Sequence, residues 1–155
     1  MKTVLFVCTG NTCRSPMAEA LANDMFKASG IEARAISCGV FANGGVPASK
    51  NALEAMKNGW GIDIRAHKAK MISEEGLEKA DIVIAMTTGH KNHLFGTYPK
   101  FTEKIYAIKE ICEEGRDIDD PFGANLDIYM QCAKQIERFL KSFDWEEGVY
   151  DCFGL

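Results

Sequence analysis

The chain has 155 residues, 46% hydrophobic and 26% charged, a size and balance that fit one domain, residues 1–155, with a sizeable core. Its formal net charge of -4 gives no support to nonspecific nucleic-acid binding, so no nucleic acid is expected as a partner. No apolar run approaches the roughly 20 residues needed to span a bilayer, so no membrane partner is expected either.

In chain order, Thr3 to Val7 is continuous, apolar and β-branched, and reads as a short buried strand. It is too short for a signal-peptide core, and polar Thr9 to Thr12 follows it closely. Ser15-Pro16 reads as a helix start, with Ser15 as N-cap and Pro16 at the first helical position. Gly30 is the expected end of that helix. Ala33 to Cys38 is a second strand, Gly39 to Pro47 a loop, and Ala48 to Lys57 a helix. Leu77 to Lys79 closes a short helical stretch, Asp81 to Met86 is a third strand and Ile105 to Ile108 a shorter fourth. Tyr129, Cys132, Ala133, Ile136, Phe139, Leu140 and Phe143 recur at helical steps and mark the last helix. Strands alternating with helices predict an α/β fold, a parallel sheet covered on both faces, with ligands bound at the C-terminal strand ends.

Cys8 follows the first strand, at such an end. Cys8-Thr9-Gly10-Asn11-Thr12-Cys13-Arg14 is a Cys-x5-Arg segment between a strand and a helix. A second match, Cys132 to Arg138, lies inside the periodic last helix without a glycine and reads as structural. In the first match, Gly10 permits a tight turn and Asn11 tolerates a left-handed backbone. Such a loop points successive N–H groups inward as an anion nest, and the following helix adds its positive end. Arg14 contributes a planar donor fork suited to phosphate oxygens. The same positive field favours a thiolate at Cys8, which is the nucleophilic form. Asp120, in Asp119-Asp120-Pro121-Phe122-Gly123, is the candidate acid that protonates a leaving group.

These residues resemble the low-molecular-weight protein tyrosine phosphatase family over nearly the whole chain. The signature is a strand, then Cys-x-Gly-Asn-x-Cys-Arg-Ser-Pro, then a helix, with Asp-Pro far downstream. Val7 to Glu19 and Asp120-Pro121 fit it, as do Ser37 to Gly39, His67-Lys68-Ala69 and Asp81 to Met86. The resemblance implies a four-stranded parallel sheet flanked by helices, with no metal and no cofactor. It implies Cys8 as nucleophile, Arg14 as phosphate clamp, and Asp120 as acid and then base. Thr9, Gly10, Asn11, Thr12 and Cys13 would form the phosphate-binding loop, and Ser15 would donate to the thiolate. Asn11 would hold the loop's shape with help from His67. Within the family the chain looks more like the bacterial protein-arginine phosphatases. Thr12 stands where tyrosine-specific members usually carry an aliphatic residue. Gly39 to Ala42, Met86-Thr87, His90-Lys91 and Phe122 also resemble that branch. Phosphorylated proteins would then be the substrates and phosphoarginine the target, with phosphotyrosine as the alternative.

Phe41 and Phe122 are candidates for the pocket wall. Cys13 is a candidate redox partner for Cys8, able to protect it from over-oxidation. Six cysteines without a secretory signal are expected as reduced thiols in the cytoplasm. His90 and His93 lack standard zinc-ligand spacing with any cysteine pair. Arsenate reduction on the same scaffold needs a further cysteine pair downstream, and no cysteine lies between Cys38 and Cys112. A phosphate-binding or redox-sensing module without turnover is disfavoured because it has no use for Asp120-Pro121. A monomer is expected.

Overall fold

The first apolar run forms strand β1, Lys2–Cys8, in which every residue from Thr3 onward is buried. Such continuous burial requires cover on both faces, and the computed structural model, which describes residues 1–111 and 115–146, supplies it. β1 pairs in parallel with β2, Ala33–Gly39, on one side and with β3, Ile82–Ala85, on the other. β4, Ile105–Ala107, pairs in parallel with β3, which gives the sheet order β2-β1-β3-β4.

Side chains alternate across β1. Val4, Phe6 and Cys8 enter one core with helices α1, Arg14–Ser29, α2, Lys50–Trp60, and α5, Leu126–Ser142. Leu5 and Val7 enter a second core with Leu77 of α3, Glu74–Lys79, and Leu94 of α4, Thr88–Thr97. The expected four-stranded parallel sheet with helices on both faces is what the chain forms.

Several details differ from the sequence reading, among them the fourth strand, which ends at Ala107 because Ile108 begins a 3-10 turn. Helix α1 begins at Arg14 with Cys13 as its cap residue, and no side chain caps it. Ser15 is therefore not the N-cap and Pro16 is not the first helical residue: the Ser15 hydroxyl is engaged by Cys8 and Asn11 instead. Helix α2 begins at Lys50 and not at Ala48, because Ser49 is extended and its hydroxyl accepts from the Ala52 N–H. Helix α4 gave no periodic signal: it holds Gly89 and Gly96, and only His90 and Leu94 are buried. The Thr87 side chain caps it. The third strand is shorter than expected, although Asp81 and Met86 still donate to Thr3 and Val7 of β1. Gly30 ends α1 in a left-handed conformation, as its position predicts.

Cys8, Cys13, Cys38 and Cys132 are buried free thiols, and Cys112 and Cys152 lie outside the described residues. Among the described residues no helix is long and apolar enough to cross a membrane.

Candidate active site

Cys8 ends β1, and the chain then turns through residues 9–13 into α1. The loop's carbonyl groups are taken from behind. Val40 N–H donates to Cys8 O, Phe41 N–H to Thr9 O and Ser49 N–H to Thr12 O, each at 2.9 Å. His67 Nε2 donates to Asn11 O at 2.8 Å. A trans peptide sets its N–H opposite its C=O, so carbonyls held outward turn the following N–H groups toward the concave side. That side is a cavity of about 270 Å³ lined by the loop, Arg14, Asp120 and Phe122.

The left-handed residue of the loop is Asn11, at φ 57°, as expected. Gly10 is not left-handed, and a Cβ there would meet only Thr12 Oγ1, at 3.7 Å. The glycine the turn does require is Gly39, at the end of β2. A Cβ there would lie 2.4 Å from Thr9 O and 2.9 Å from Asn11 N. The expectation for Gly10 therefore belongs to Gly39, where two backbones meet.

Asn11 is fully buried, and every polar atom of its side chain is engaged. Nδ2 donates to Ser15 Oγ at 2.8 Å and to Ser37 Oγ at 2.9 Å, while Oδ1 accepts from Lys70 N–H at 2.9 Å. Ser37 Oγ donates to Glu19 Oε2 at 3.0 Å, and that carboxylate stands 3.6 Å from His67 Nδ1. Ser15 Oγ is 2.8 Å from Cys8 Sγ and 3.4 Å from Cys38 O. Burial works against protonating His67, but the Glu19 carboxylate and the Asn11 carbonyl outweigh it, and its pKa moves up.

Arg14 is buried. Its Nη1 donates to Ile118 O at 3.0 Å and its Nη2 lies 3.6 Å from Asp120 Oδ2. The Asp120 side chain is 54% exposed, and its Oδ1 accepts from Phe122 N–H at 3.0 Å. Cys13 borders the cavity, and its Sγ lies 3.2 Å from the Tyr129 hydroxyl and 3.4 Å from Ser49 Oγ. Burial, then the contact with Cys13, pushes the Tyr129 hydroxyl up to about 12. Phe122 lines the cavity and is 77% exposed. Phe41 is not among the lining residues: it packs on His93, ring centroids 5.0 Å apart.

The structure thus gathers Cys8, Arg14 and Asp120 around one cavity, with Ser15, Asn11 and His67 in a supporting network. The model of the low molecular weight phosphotyrosine protein phosphatases matches residues 3–147. The chain belongs to that family. It is 38% identical over 139 residues to a protein-arginine-phosphatase of Bacillus subtilis, covering 89% of this chain and 91% of that one. A solved low molecular weight protein tyrosine phosphatase from T. tengcongensis superposes with a TM-score of 0.89 at 46% identity, covering 92% and 97% of the two chains. A solved arginine phosphatase carrying a phosphorylated active-site serine superposes at 0.87 with 37% identity, covering 90% and 91%.

Of the other thiols of this family member, Cys38 and Cys132 are both pushed up to about 12, chiefly by burial. Cys132 and Arg138 of the second Cys-x5-Arg match both sit on α5, as the helical periodicity indicated. Sequence reasoning assigned no role to Glu19, Ser49, Tyr129 or Asp117. Glu19, four residues after Ser15 on α1, and Ser37, a polar residue in an apolar strand, carried a signal. Tyr129 looked like one more position in an apolar stripe. Among the described residues no group of three or more His, Cys, Asp or Glu is placed to hold a metal ion.

Proposed function

We propose that this chain hydrolyses phosphoarginine on proteins through a cysteinyl-phosphate intermediate. The observation that carries the reading is one cavity in which Cys8 and Arg14 face Asp120, with Thr12 in the wall. The arginine phosphatases among its relatives support the choice of substrate.

In the first step the Cys8 thiolate attacks phosphorus. The P–N bond breaks, and its electron pair goes to the guanidine nitrogen, which takes a proton from the Asp120 carboxyl. In the second step Asp120, now a carboxylate, takes a proton from a water whose oxygen attacks phosphorus. The S–P bond breaks, its electron pair returns to Cys8 as thiolate, and inorganic phosphate leaves. Arg14 and the N–H groups of residues 9–13 hold the phosphoryl oxygens. Ser15 donates to the sulfur, while Asn11, held by His67, keeps the loop's shape. The Thr12 hydroxyl suits the polar guanidinium beside phosphorus better than a bare methyl would, and it orients the attacking water. Phe122 offers a flat face to the planar substrate.

Cys13 is the redox partner in this reading. Peroxide converts Cys8 to a sulfenic acid, and the Cys13 thiol condenses with it to a disulfide, releasing water. Mass spectrometry after mild peroxide treatment tests this: sulfonic acid accumulating at Cys8 without the bridge overturns it. Phosphorylated proteins are the substrates, and the enzyme acts as a cytoplasmic monomer without a cofactor.

A second reading, phosphotyrosine hydrolysis by the same steps with a phenolic oxygen leaving, is favoured by the likeness to the T. tengcongensis phosphatase. Phosphate release from phosphoarginine and phosphotyrosine peptides, side by side, decides between them. Phosphoarginine preference, abolished in Cys8→Ser, is expected, and Thr12→Ile should shift the ratio toward phosphotyrosine by about tenfold or more. Phosphotyrosine preference in the wild type overturns the arginine reading and keeps the mechanism. Turnover of neither by folded protein overturns both.

A further inference from the structure

The first turn of α4 touches both halves of the cavity. His90, 7% exposed, places Nε2 2.8 Å from Thr9 Oγ1 and Nδ1 3.0 Å from Thr87 Oγ1. Two residues earlier, the Thr88 N–H and hydroxyl both donate to Asp117 Oδ1, at 3.0 and 3.2 Å. The backbone repeats the pattern: Met86 N–H donates to Val7 O at 2.9 Å, and Met86 O accepts from Ile118 N–H at 3.0 Å. Residues 86–90 therefore grip the end of β1 and its loop on one side and the start of the segment leading to Asp120 on the other. Further ties on that segment are the Gln135 side chain on Asp117 O, at 3.3 Å, Arg14 on Ile118 O, and the Cys132 thiol on Asp119 O, at 3.9 Å.

His90 is suited to a fixed, uncharged link. Burial first, and then the Arg14 charge with help from His93, pushes its pKa down to about 4 against the pull of Asp120 and Asp117. At neutral pH the ring has one donor and one acceptor nitrogen, and a threonine hydroxyl, able to give or accept, stands at each.

We propose that the first turn of α4 is a bracket that sets the separation between Cys8 and Asp120, with His90 and Asp117 as positioning residues for protonation of the leaving group. The inference rests on the hydrolytic reading above. Attack on phosphorus needs the loop, whose carbonyls are held by Val40, Phe41, Ser49 and His67 and not by α4, and Arg14, the first residue of α1. Proton delivery needs the acid within about 2.6–3.2 Å of the departing atom, so it depends on the two halves being in register. A guanidine nitrogen cannot leave unprotonated, whereas p-nitrophenolate is stable enough to leave with little help. Losing the bracket should therefore harm the two substrates unequally.

The test measures kcat/KM, which reports steps up to departure of the leaving group, for a phosphoarginine peptide and for p-nitrophenyl phosphate. His90→Phe keeps a ring and loses both hydrogen bonds, His90→Gln retains a polar end, and Asp117→Ala and Thr88→Val loosen the other grip. His90→Phe and Asp117→Ala are expected to lower kcat/KM about 10- to 100-fold on phosphoarginine and less than about 3-fold on p-nitrophenyl phosphate. His90→Gln should recover most of the loss, and Thr88→Val, which keeps the Thr88 N–H, should show a smaller loss of the same kind. In an Asp120→Asn background His90→Phe should cost nothing further, because the group it positions is gone. Equal losses on both substrates, no loss on either, or a full additional loss in the Asp120→Asn background overturns the bracket while leaving the hydrolytic reading intact. Wild-type protein that turns over neither substrate overturns the reading itself, and the bracket with it.

Discussion

His67 and His90 stand on opposite sides of the phosphate loop and are tuned in opposite directions. His67 lies between the Asn11 carbonyl and the Glu19 carboxylate, both of which reward a proton, and its pKa rises. His90 lies between two hydroxyls, buried and within reach of Arg14, and its pKa falls to about 4. The difference lies in what each faces. The His67 side shapes the loop through a network around Asn11 that includes the Glu19 carboxylate, whereas the His90 side meets the loop through an imidazole set between two hydroxyls. On the first side a proton is favoured, behind the loop, by the Glu19 carboxylate. A cation on the second would stand close to Arg14 and repel it.

The harshest way to break the comparison is Gly39→Ala, which strikes the His67 side at the backbone. A methyl 2.4 Å from Thr9 O leaves no room for the present loop, so a shift is obligatory. A loss of about 3 kcal/mol of stability and at least about 100-fold in kcat/KM is expected, read from denaturant unfolding and phosphate release. Gly10→Ala is the contrast, since its Cβ meets only an ordinary contact, and its stability should stay within about 1 kcal/mol of wild type. A fully active Gly39→Ala protein would mean that the close approach does not shape the loop.

Next in size is Glu19→Gln, which removes the charge from the His67 side while keeping its shape. It should cost about 1–3 kcal/mol and bring the His67 titration down toward that of an ordinary histidine, followed by NMR. An unmoved His67 titration would show that the carboxylate is not its cause.

The smallest effect, and the one that sharpens the contrast most, is the pH dependence of stability. A raised histidine contributes stability that is present below its unfolded value near 6.5 and lost as pH rises through its folded value, so His67→Gln should flatten the alkaline side. A lowered histidine contributes stability that is present above about 6.5 and lost as pH falls toward about 4, so His90→Gln should flatten the acid side. Urea midpoints from pH 4.5 to 9 would show it. Both variants flattening the same limb would undo the assignment of opposite shifts.

Much of this molecule was legible in its sequence because its signals were local. A continuous apolar run announced β1, and Gly30 announced the end of α1. Cys8 to Ser15 with a distant Asp120-Pro121 marked the candidate site, whose residues the fold brings around one cavity. The rest depended on contacts between distant segments. Ser15 has the chemistry of an N-cap, but a sulfur and an amide brought in by the loop's turn claimed its hydroxyl. Helix α4 lacks an apolar stripe because its first turn faces polar groups of the loop and of Asp117, so periodicity could not reveal it. Gly39 looked like a loop residue until β2 was laid beside β1, where a Cβ on it would meet Thr9 O.

The Asn11 amide has a further consequence. An NH₂ group has only hydrogens to offer, so Ser15 and Ser37 must both receive from it, and each has a single hydrogen left to direct elsewhere. Ser37 directs it to Glu19, and Ser15 has the Cys8 sulfur as its nearer acceptor. The arrangement is a one-way circuit with an amide as source and an electron-rich atom at each end. Neither hydroxyl can point its hydrogen back at the amide without setting hydrogen against hydrogen. The amide thus leaves the Ser15 hydrogen free for the Cys8 sulfur, an orientation the chain acquires on folding.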